Sequence, residues 1–301
     1  MEYPAKILLF GEYGILLGSM GLAMPFPRYS GLFRFLNETG KGPSMSAGES
    51  NAVLTKLLSF FEMNPSKFHY LRLKTLKKDI LNGLYFDSTI PQGSGLGSSG
   101  ALTAALYARY SADHQPTDYQ KVRSRLSAME DSFHGMSSGL DPVISLLNKP
   151  VLIDQNFSGI GLVKLDSFLN SYTLFLINSG TSGSTNDLVA GIMRQYEETD
   201  FRQAMDNEYI PVIDSVIQSV LDSDFNSFDL EMPKYSEFQL TRLPHLIPAV
   251  MRKYFEIGLE SNDFHLKICG SGGGGFFLAI ARDGTKAETC FKLNQLNYLI
   301  V

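Results

Sequence analysis

Apolar positions along this chain switch between two periods, and the switches mark out its elements. Residues 3–10 form a nearly continuous apolar run that predicts a short strand, and residues 29–36 alternate well enough to pair with it. Residues 67–75 alternate Phe68, Tyr70, Leu71 and Leu73 with basic residues and predict another strand, as do residues 84–90, which end at Pro91. From Ala101 onward good helix formers follow one another with little to break the run. Beyond Asp118, the residues Val122, Leu126, Met129 and Phe133 recur at helical spacing and share one face. Asp141-Pro142 predicts an N-cap followed by proline at the first helical position, opening a helix over residues 143–147. Further strands are predicted at 151–154, 161–165 and 172–178, followed by a polar turn at 179–184. Helices are predicted at 185–197, 201–221 and 247–259, then a strand, a tight glycine loop and a strand across 264–280. The mixture predicts an α+β chain of two domains sharing one cleft, with a boundary near residue 165.

Composition narrows the function classes. A chain of 301 residues that is 44% hydrophobic and 19% charged has the profile of a soluble globular protein of one or two domains. Lys and Arg number 26 against 31 Asp and Glu, a net charge of −5, so no basic surplus exists to neutralise nucleic acid or an anionic membrane. Cys269 and Cys290 could form at most one disulfide, and a reducing, cytoplasmic setting is expected. An acidic Glu2 and a four-residue apolar run, Ile7-Leu8-Leu9-Phe10, predict neither a signal peptide nor a membrane span. The 27 glycines are a small excess over the usual ~7%, but their placement is uneven. Gly93, Gly95, Gly97 and Gly100 fall in one window; Gly270, Gly272, Gly273, Gly274 and Gly275 fall in another.

The first window, Pro91-Gln92-Gly93-Ser94-Gly95-Leu96-Gly97-Ser98-Ser99-Gly100, lies between a predicted strand and a predicted helix. Glycines there let backbone N–H groups converge on an anion, and a helix N-terminus adds unpaired N–H groups and a favourable dipole, so the window predicts a phosphate cradle. It contains Gly95-x-Gly97-x-x-Gly100, yet the acidic strand end required of a dinucleotide fold is replaced by the polar run Ser111-Ala112-Asp113-His114-Gln115. No Gly-Lys-Ser/Thr follows either, which excludes a Walker loop.

Pro91-x3-Gly95-Leu96-Gly97-Ser98-Ser99 resembles the phosphate loop of the GHMP kinases, the galacto-, homoserine, mevalonate and phosphomevalonate kinases. Residues 4–16, Pro-Ala-Lys-Ile-Leu-Leu-Phe-Gly-Glu-Tyr-Gly-Ile-Leu, are similar to the family's opening segment, and Lys267-Ile268-Cys269-Gly270-Ser271-Gly272-Gly273-Gly274-Gly275 is similar to its C-terminal glycine loop. The resemblance implies an N-terminal domain of the ribosomal protein S5 domain 2-like type over residues 1–165. It implies a ferredoxin-like α/β sandwich over residues 166–301, with the active site in the cleft between the two. It also implies ATP and Mg²⁺ as cofactors and a small-molecule substrate, and it leaves a homodimer open.

Phosphoryl transfer needs a phosphate cradle, a magnesium site and a group that deprotonates the acceptor hydroxyl. Alone, Glu130 reads as a solvated carboxylate, Lys6 as a surface lysine and Asp141 as a helix cap. The frame Glu130-x3-His134-Gly135-x-x-Ser138-Gly139-x-Asp141 resembles that of the mevalonate kinases. It implies Ser99 and Glu130 as Mg²⁺ ligands, Asp141 as catalytic base and Lys6 as its charge partner. Pro91, Gly93, Ser94, Gly95, Leu96, Gly97, Ser98 and Ser99 are implied to bind ATP, and Glu12, Tyr13, Thr185, Gly272 and Gly273 to contact substrate. Mevalonate is the implied acceptor. Tyr13 stands where mevalonate kinases usually carry His and phosphomevalonate kinases often carry Tyr, so phosphomevalonate and sugars are the alternatives, and a catalytically inactive binding protein on the same fold is the alternative of another class. The five histidines show no metal spacing, and Cys269 has no neighbouring His that would make it a nucleophile.

Overall fold

The computed structural model describes residues 1–36, 45–112, 118–134, 137–181 and 185–301, without the side chains of residues 45, 46, 134 and 185–187. In chain order the strands are β1 (Tyr3–Phe10), β2 (Gly21–Phe35), β3 (Leu84–Ser88), β4 (Val151–Ile153), β5 (Ile160–Leu162), β6 (Thr173–Asn178), β7 (His265–Ile268), β8 (Phe276–Ala281) and β9 (Tyr298–Ile300). The helices are α1 (Met45–Met63), α2 (Leu73–Leu81), α3 (Ser98–Tyr110), α4 (Tyr119–His134), α5 (Leu140–Leu147), α6 (Asp166–Ser171), α7 (Thr185–Gln195), α8 (Thr199–Ala204), α9 (Ile210–Asp222), α10 (Phe225–Arg242), α11 (Ala249–Ser261) and α12 (Gly284–Leu293). One sheet has the order β1-β2-β4-β5 with β3 also on β2; the other has the order β7-β8-β6-β9. The expected α+β class is borne out.

Two compact units are present, and each is threaded by several chain segments. The first comprises Met1–Lys6, Pro25–Pro91 and Gly97–Lys149. Here β2 pairs antiparallel with β3, Phe33 opposite Phe86. Gly31 makes room for the Phe86 ring at this crossing, since a Cβ there would lie 2.2 Å from it. Leu54, Leu57, Phe61, Phe68, Leu76 and Ile80 bury the inner faces of α1 and α2. The strand expected at 67–75 is instead a turn leading into α2, since Leu76 and Ile80 continue the apolar pattern at a spacing of four and extend it as a helix. In α4, Val122, Leu126 and Met129 are buried as their spacing predicts. The start of α5 is shifted from expectation: Gly139, at φ 74°, is the N-cap, and Asp141 and Pro142 lie within the first turn. Proline fits there because the first-turn N–H groups have no intrahelical partner.

The second unit comprises Ile7–Met24, Gln92–Leu96 and Pro150–Val301. Its four-stranded sheet is antiparallel, with Leu176 opposite both Leu278 and Leu299, and β8 is buried along its length. Phe10, Phe168, Phe228 and Tyr235 meet edge to face, the Phe10 ring lying 5.7 Å from Tyr235 and 5.9 Å from Phe228. The single helix expected at 201–221 is divided into α8 and α9 by a π-helical turn, Met205–Tyr209. Pro211 explains the interruption, since it has no N–H to offer the regular ladder. The long α10 lies beyond the elements expected from sequence; it contains Pro233, a residue type that ordinarily ends a helix, yet buries Phe228, Met232, Tyr235 and Phe238 at helical spacing. Among the described residues no helix is long and apolar enough to cross a membrane.

At the start of β7 the His265 Nδ1 is buried without a hydrogen-bond partner among the described residues. Burial pushes its pKa down to about 4, and nearby Asp229 opposes the shift only partly. Between that value and about 6.5 the unfolded chain takes up a proton that the folded one refuses, so stability is full above this window and falls as pH drops through it, by up to about 3 kcal/mol. Between pH 7 and pH 5 the urea midpoint of the unsubstituted protein is expected to fall relative to that of His265→Leu, a comparison that isolates the histidine from carboxylates titrating in the same window.

Candidate functional site

In the first unit the chemistry is assembled at the N-termini of two helices. Lys6 lies within the apolar strand β1 and is only 2% exposed, so its ammonium needs a partner. That partner is Asp141 Oδ2, 3.1 Å away, on a side chain that remains 29% exposed. Two glycines permit the approach. A Cβ on Gly97, at φ +77°, would lie 2.9 Å from Lys6 Cγ and 3.3 Å from Asp141 Oδ2; one on Gly100 would lie 2.8 Å from Asp141 Cβ. The carboxylate is therefore set against the first turn of α3, where unpaired N–H groups and the helix dipole favour negative charge.

Beside it, Glu130 is 3% exposed and held by two serines: Ser99 Oγ donates to Oε1 at 3.1 Å and Ser137 Oγ donates to Oε2 at 2.5 Å. Burial pushes its pKa up to about 7, and the neighbouring Asp141 charge adds to the rise, while the two serines and Lys6 oppose it. A buried carboxylate beside a hydroxyl, both hard oxygen donors, fits a Mg²⁺ ion that takes its remaining ligands from phosphate and water. Among the described residues no group of three or more acidic, histidine or cysteine side chains could cage a metal unaided.

The second unit contains its own buried ion pair. Lys267 and Glu12 are bonded side chain to side chain with no exposed surface on either. Lys267 Nζ also donates to Leu8 O at 3.0 Å and Ile268 O at 2.6 Å, so all three of its protons are placed. Tyr235 donates its hydroxyl to Glu12 Oε2 at 2.6 Å, and Gly11 N donates to the Tyr235 oxygen at 3.3 Å. Burial raises the Glu12 pKa, and Lys267 is the main opposing influence. Tyr13 holds a strained positive-φ backbone, φ 60° and ψ −42°, and donates its hydroxyl to Ser271 O at 2.5 Å.

The two glycine loops touch within this unit, main chain against main chain. A Cβ on Gly95 would lie 2.5 Å from Cys269 O, one on Gly270 2.9 Å from Gly95 Cα, and one on Gly275 2.8 Å from Gly93 O. Phe276 N donates to Ser94 O at 3.2 Å. Gly272 and Gly273 pack on Leu246, whose carbonyl accepts from Gly273 N at 2.7 Å.

Lys6, Gly97, Ser99, Glu130 and Asp141 are thus brought together in the first unit. Gly93, Ser94, Gly95 and Leu96 belong to the second, with Glu12, Tyr13, Gly272 and Gly273. Thr185 opens α7, and its side chain is outside the described residues, as are the side chain of His134 and residues 135 and 136. Lys6 and Glu130 are buried rather than the surface groups their sequence context suggests. Lys267 had carried no expected role; its signal is a charge at an inward position of an apolar strand. Ser137 and Tyr235 carried none either, and nothing local distinguishes them.

A family model described as the GHMP kinases N terminal domain matches residues 67–149. Over 307 residues the chain is 25% identical to a mevalonate kinase of Thermococcus sibiricus, covering 92% of this chain and 87% of the relative. The fold matches that of L. major mevalonate kinase, solved in complex with R-mevalonate, at a TM-score of 0.65 and 15% identity over 97% of this chain and 89% of that one. It also matches a Streptococcus pneumoniae phosphomevalonate kinase, solved with phosphomevalonate and AMPPNP, at a TM-score of 0.66 and 15% identity over 100% and 99%. The class follows: the chain has the fold of the GHMP kinases, and residues 67–149 match the N-terminal domain of that family. Within that class, the relatives it matches along most of its length are named mevalonate kinase.

Removing one member of a buried ion pair strands the other. Lys267→Met is expected to cost about 3–5 kcal/mol, and pairing it with Glu12→Gln to recover much of that loss. A double-mutant cycle by urea denaturation measures both.

Proposed function

We propose that this protein transfers the γ-phosphoryl group of ATP to the primary hydroxyl of mevalonate, giving 5-phosphomevalonate and ADP. The observation that carries the reading is the Lys6–Asp141 pair, 3.1 Å apart at the start of α3, with Ser99 and Glu130 beside it. Asp141 accepts the hydroxyl proton as the acceptor oxygen bonds to the γ-phosphorus and the bond to the ADP oxygen breaks. Lys6 holds the Asp141 carboxylate in place and offsets negative charge on the transferring group. Backbone N–H groups of the 91–99 loop cradle the nucleotide phosphates, and Mg²⁺, when held by Ser99 and Glu130, supplies charge neutralisation on their oxygens. Thr185 contacts substrate in this proposal. Glu12 acts less directly, since both of its oxygens are engaged by Lys267 and Tyr235.

Mevalonate is favoured as acceptor because the relatives matched over most of the chain carry that name. Coupled ADP-release assays with mevalonate, phosphomevalonate, homoserine and galactose are expected to show turnover with mevalonate; none with it would refute the assignment. Asp141→Asn should keep ADP affinity while turnover falls about 10²- to 10⁴-fold, the range of a lost general base. Turnover close to that of the unsubstituted protein would show that another group takes the proton.

A further inference from the structure

We propose that Ser137 is a positioning residue for magnesium binding: its hydroxyl locks the Glu130 carboxylate in one orientation beside Ser99 and ties it to the start of the helix that bears Asp141. The inference rests on the reading of Glu130 as a Mg²⁺ ligand. The terminal torsion of a glutamate is broad and roughly two-fold, so one hydrogen bond leaves the carboxylate plane free to swing. Ser99 supplies one bond at 3.1 Å; Ser137 supplies the second, on the other oxygen, at 2.5 Å. The shorter bond is of the charge-assisted O–H···O⁻ kind, which is the stronger class.

Ser137 is itself held from several directions. Its oxygen accepts from Gly139 N at 3.0 Å, which turns the hydroxyl proton toward Glu130. Its backbone N donates to Asp131 Oδ1 at 3.2 Å, and its carbonyl accepts from Ser127 Oγ at 2.7 Å. Asp131 and Ser127 both belong to α4, the helix that carries Glu130, so the serine is fixed relative to the carboxylate it orients. Gly139 is the N-cap of α5, with Asp141 two residues on. One hydroxyl therefore links the metal carboxylate to the helix start that presents the base. Outer hydrogen-bond partners of metal ligands act in this way, by restricting the ligand to the orientation that binding uses.

The test is Mn²⁺ binding, followed by electron paramagnetic resonance, to the full-length protein saturated with ADP. Ser137→Ala is expected to raise the Mn²⁺ Kd about tenfold, in the range seen when outer-shell partners are lost. Ser137→Thr keeps the hydroxyl and should restore a Kd close to that of the unsubstituted protein. Glu130→Gln, which removes the ligand itself, should weaken binding further. ADP affinity in EDTA shows whether each variant is folded; should Ser137→Ala fail that check, the near-isosteric pair Ser137→Thr and Ser137→Val carries the same comparison. An unchanged Kd in Ser137→Ala, or equal loss in the Thr variant, overturns the proposal while the metal assignment stands. An unchanged Kd in Glu130→Gln overturns the metal assignment and this proposal with it.

Discussion

The first unit is organised around a buried cation. Lys6 projects from a strand whose every residue is buried, and an ammonium in that setting persists only with a counter-charge in contact. Asp141 meets that need, and its position has requirements of its own. Its helix must start where the carboxylate reaches Lys6, so Gly139 supplies the left-handed turn, and Gly97 and Gly100 leave out the side chains that would occupy the same space. Glycines of the 91–100 window thus make room for the ion pair.

The second unit repeats the device with different parts. Lys267, again a lysine inside an apolar strand, spends all three protons on Glu12 and two carbonyls, and Glu12 in turn is bonded by Tyr235. The Gly11-Glu12-Tyr13 turn is consequently anchored at each residue: a backbone N–H on Tyr235, a carboxylate on Lys267, and a hydroxyl on Ser271. Such anchoring explains how Tyr13 is kept in a backbone conformation that bulky residues avoid.

Much of this was legible in the sequence, and the remainder has identifiable causes. The strand at Tyr3–Phe10, the helix face of Val122, Leu126 and Met129, and the glycine windows all follow from local pattern. Motif resemblance pointed to Lys6, Ser99, Glu130 and Asp141 before their proximity could be seen. The burial of Lys6 and Glu130 was not legible, because exposure of a charged residue is decided by segments far away in the chain. Residues 67–75 misled because alternation over a short window does not separate a strand from the approach to a helix. The division at Met205–Tyr209 and the continuity of α10 through Pro233 show proline acting in opposite ways, each settled by packing rather than propensity. Ser137 is one serine among several in a polar loop, and only its hydrogen bonds single it out.

The meeting of Gly95 with Cys269 and Gly270, and of Gly93 and Ser94 with Gly275, is made chiefly by main-chain atoms. Side chains can exchange rotamers to absorb a small displacement, whereas peptide groups in contact have no such soft coordinate. Motion at this point must be collective: residues 92–96 cannot shift without carrying residues 269–276 with them. The two loops, though separated by more than half the chain, therefore constitute one mechanical part.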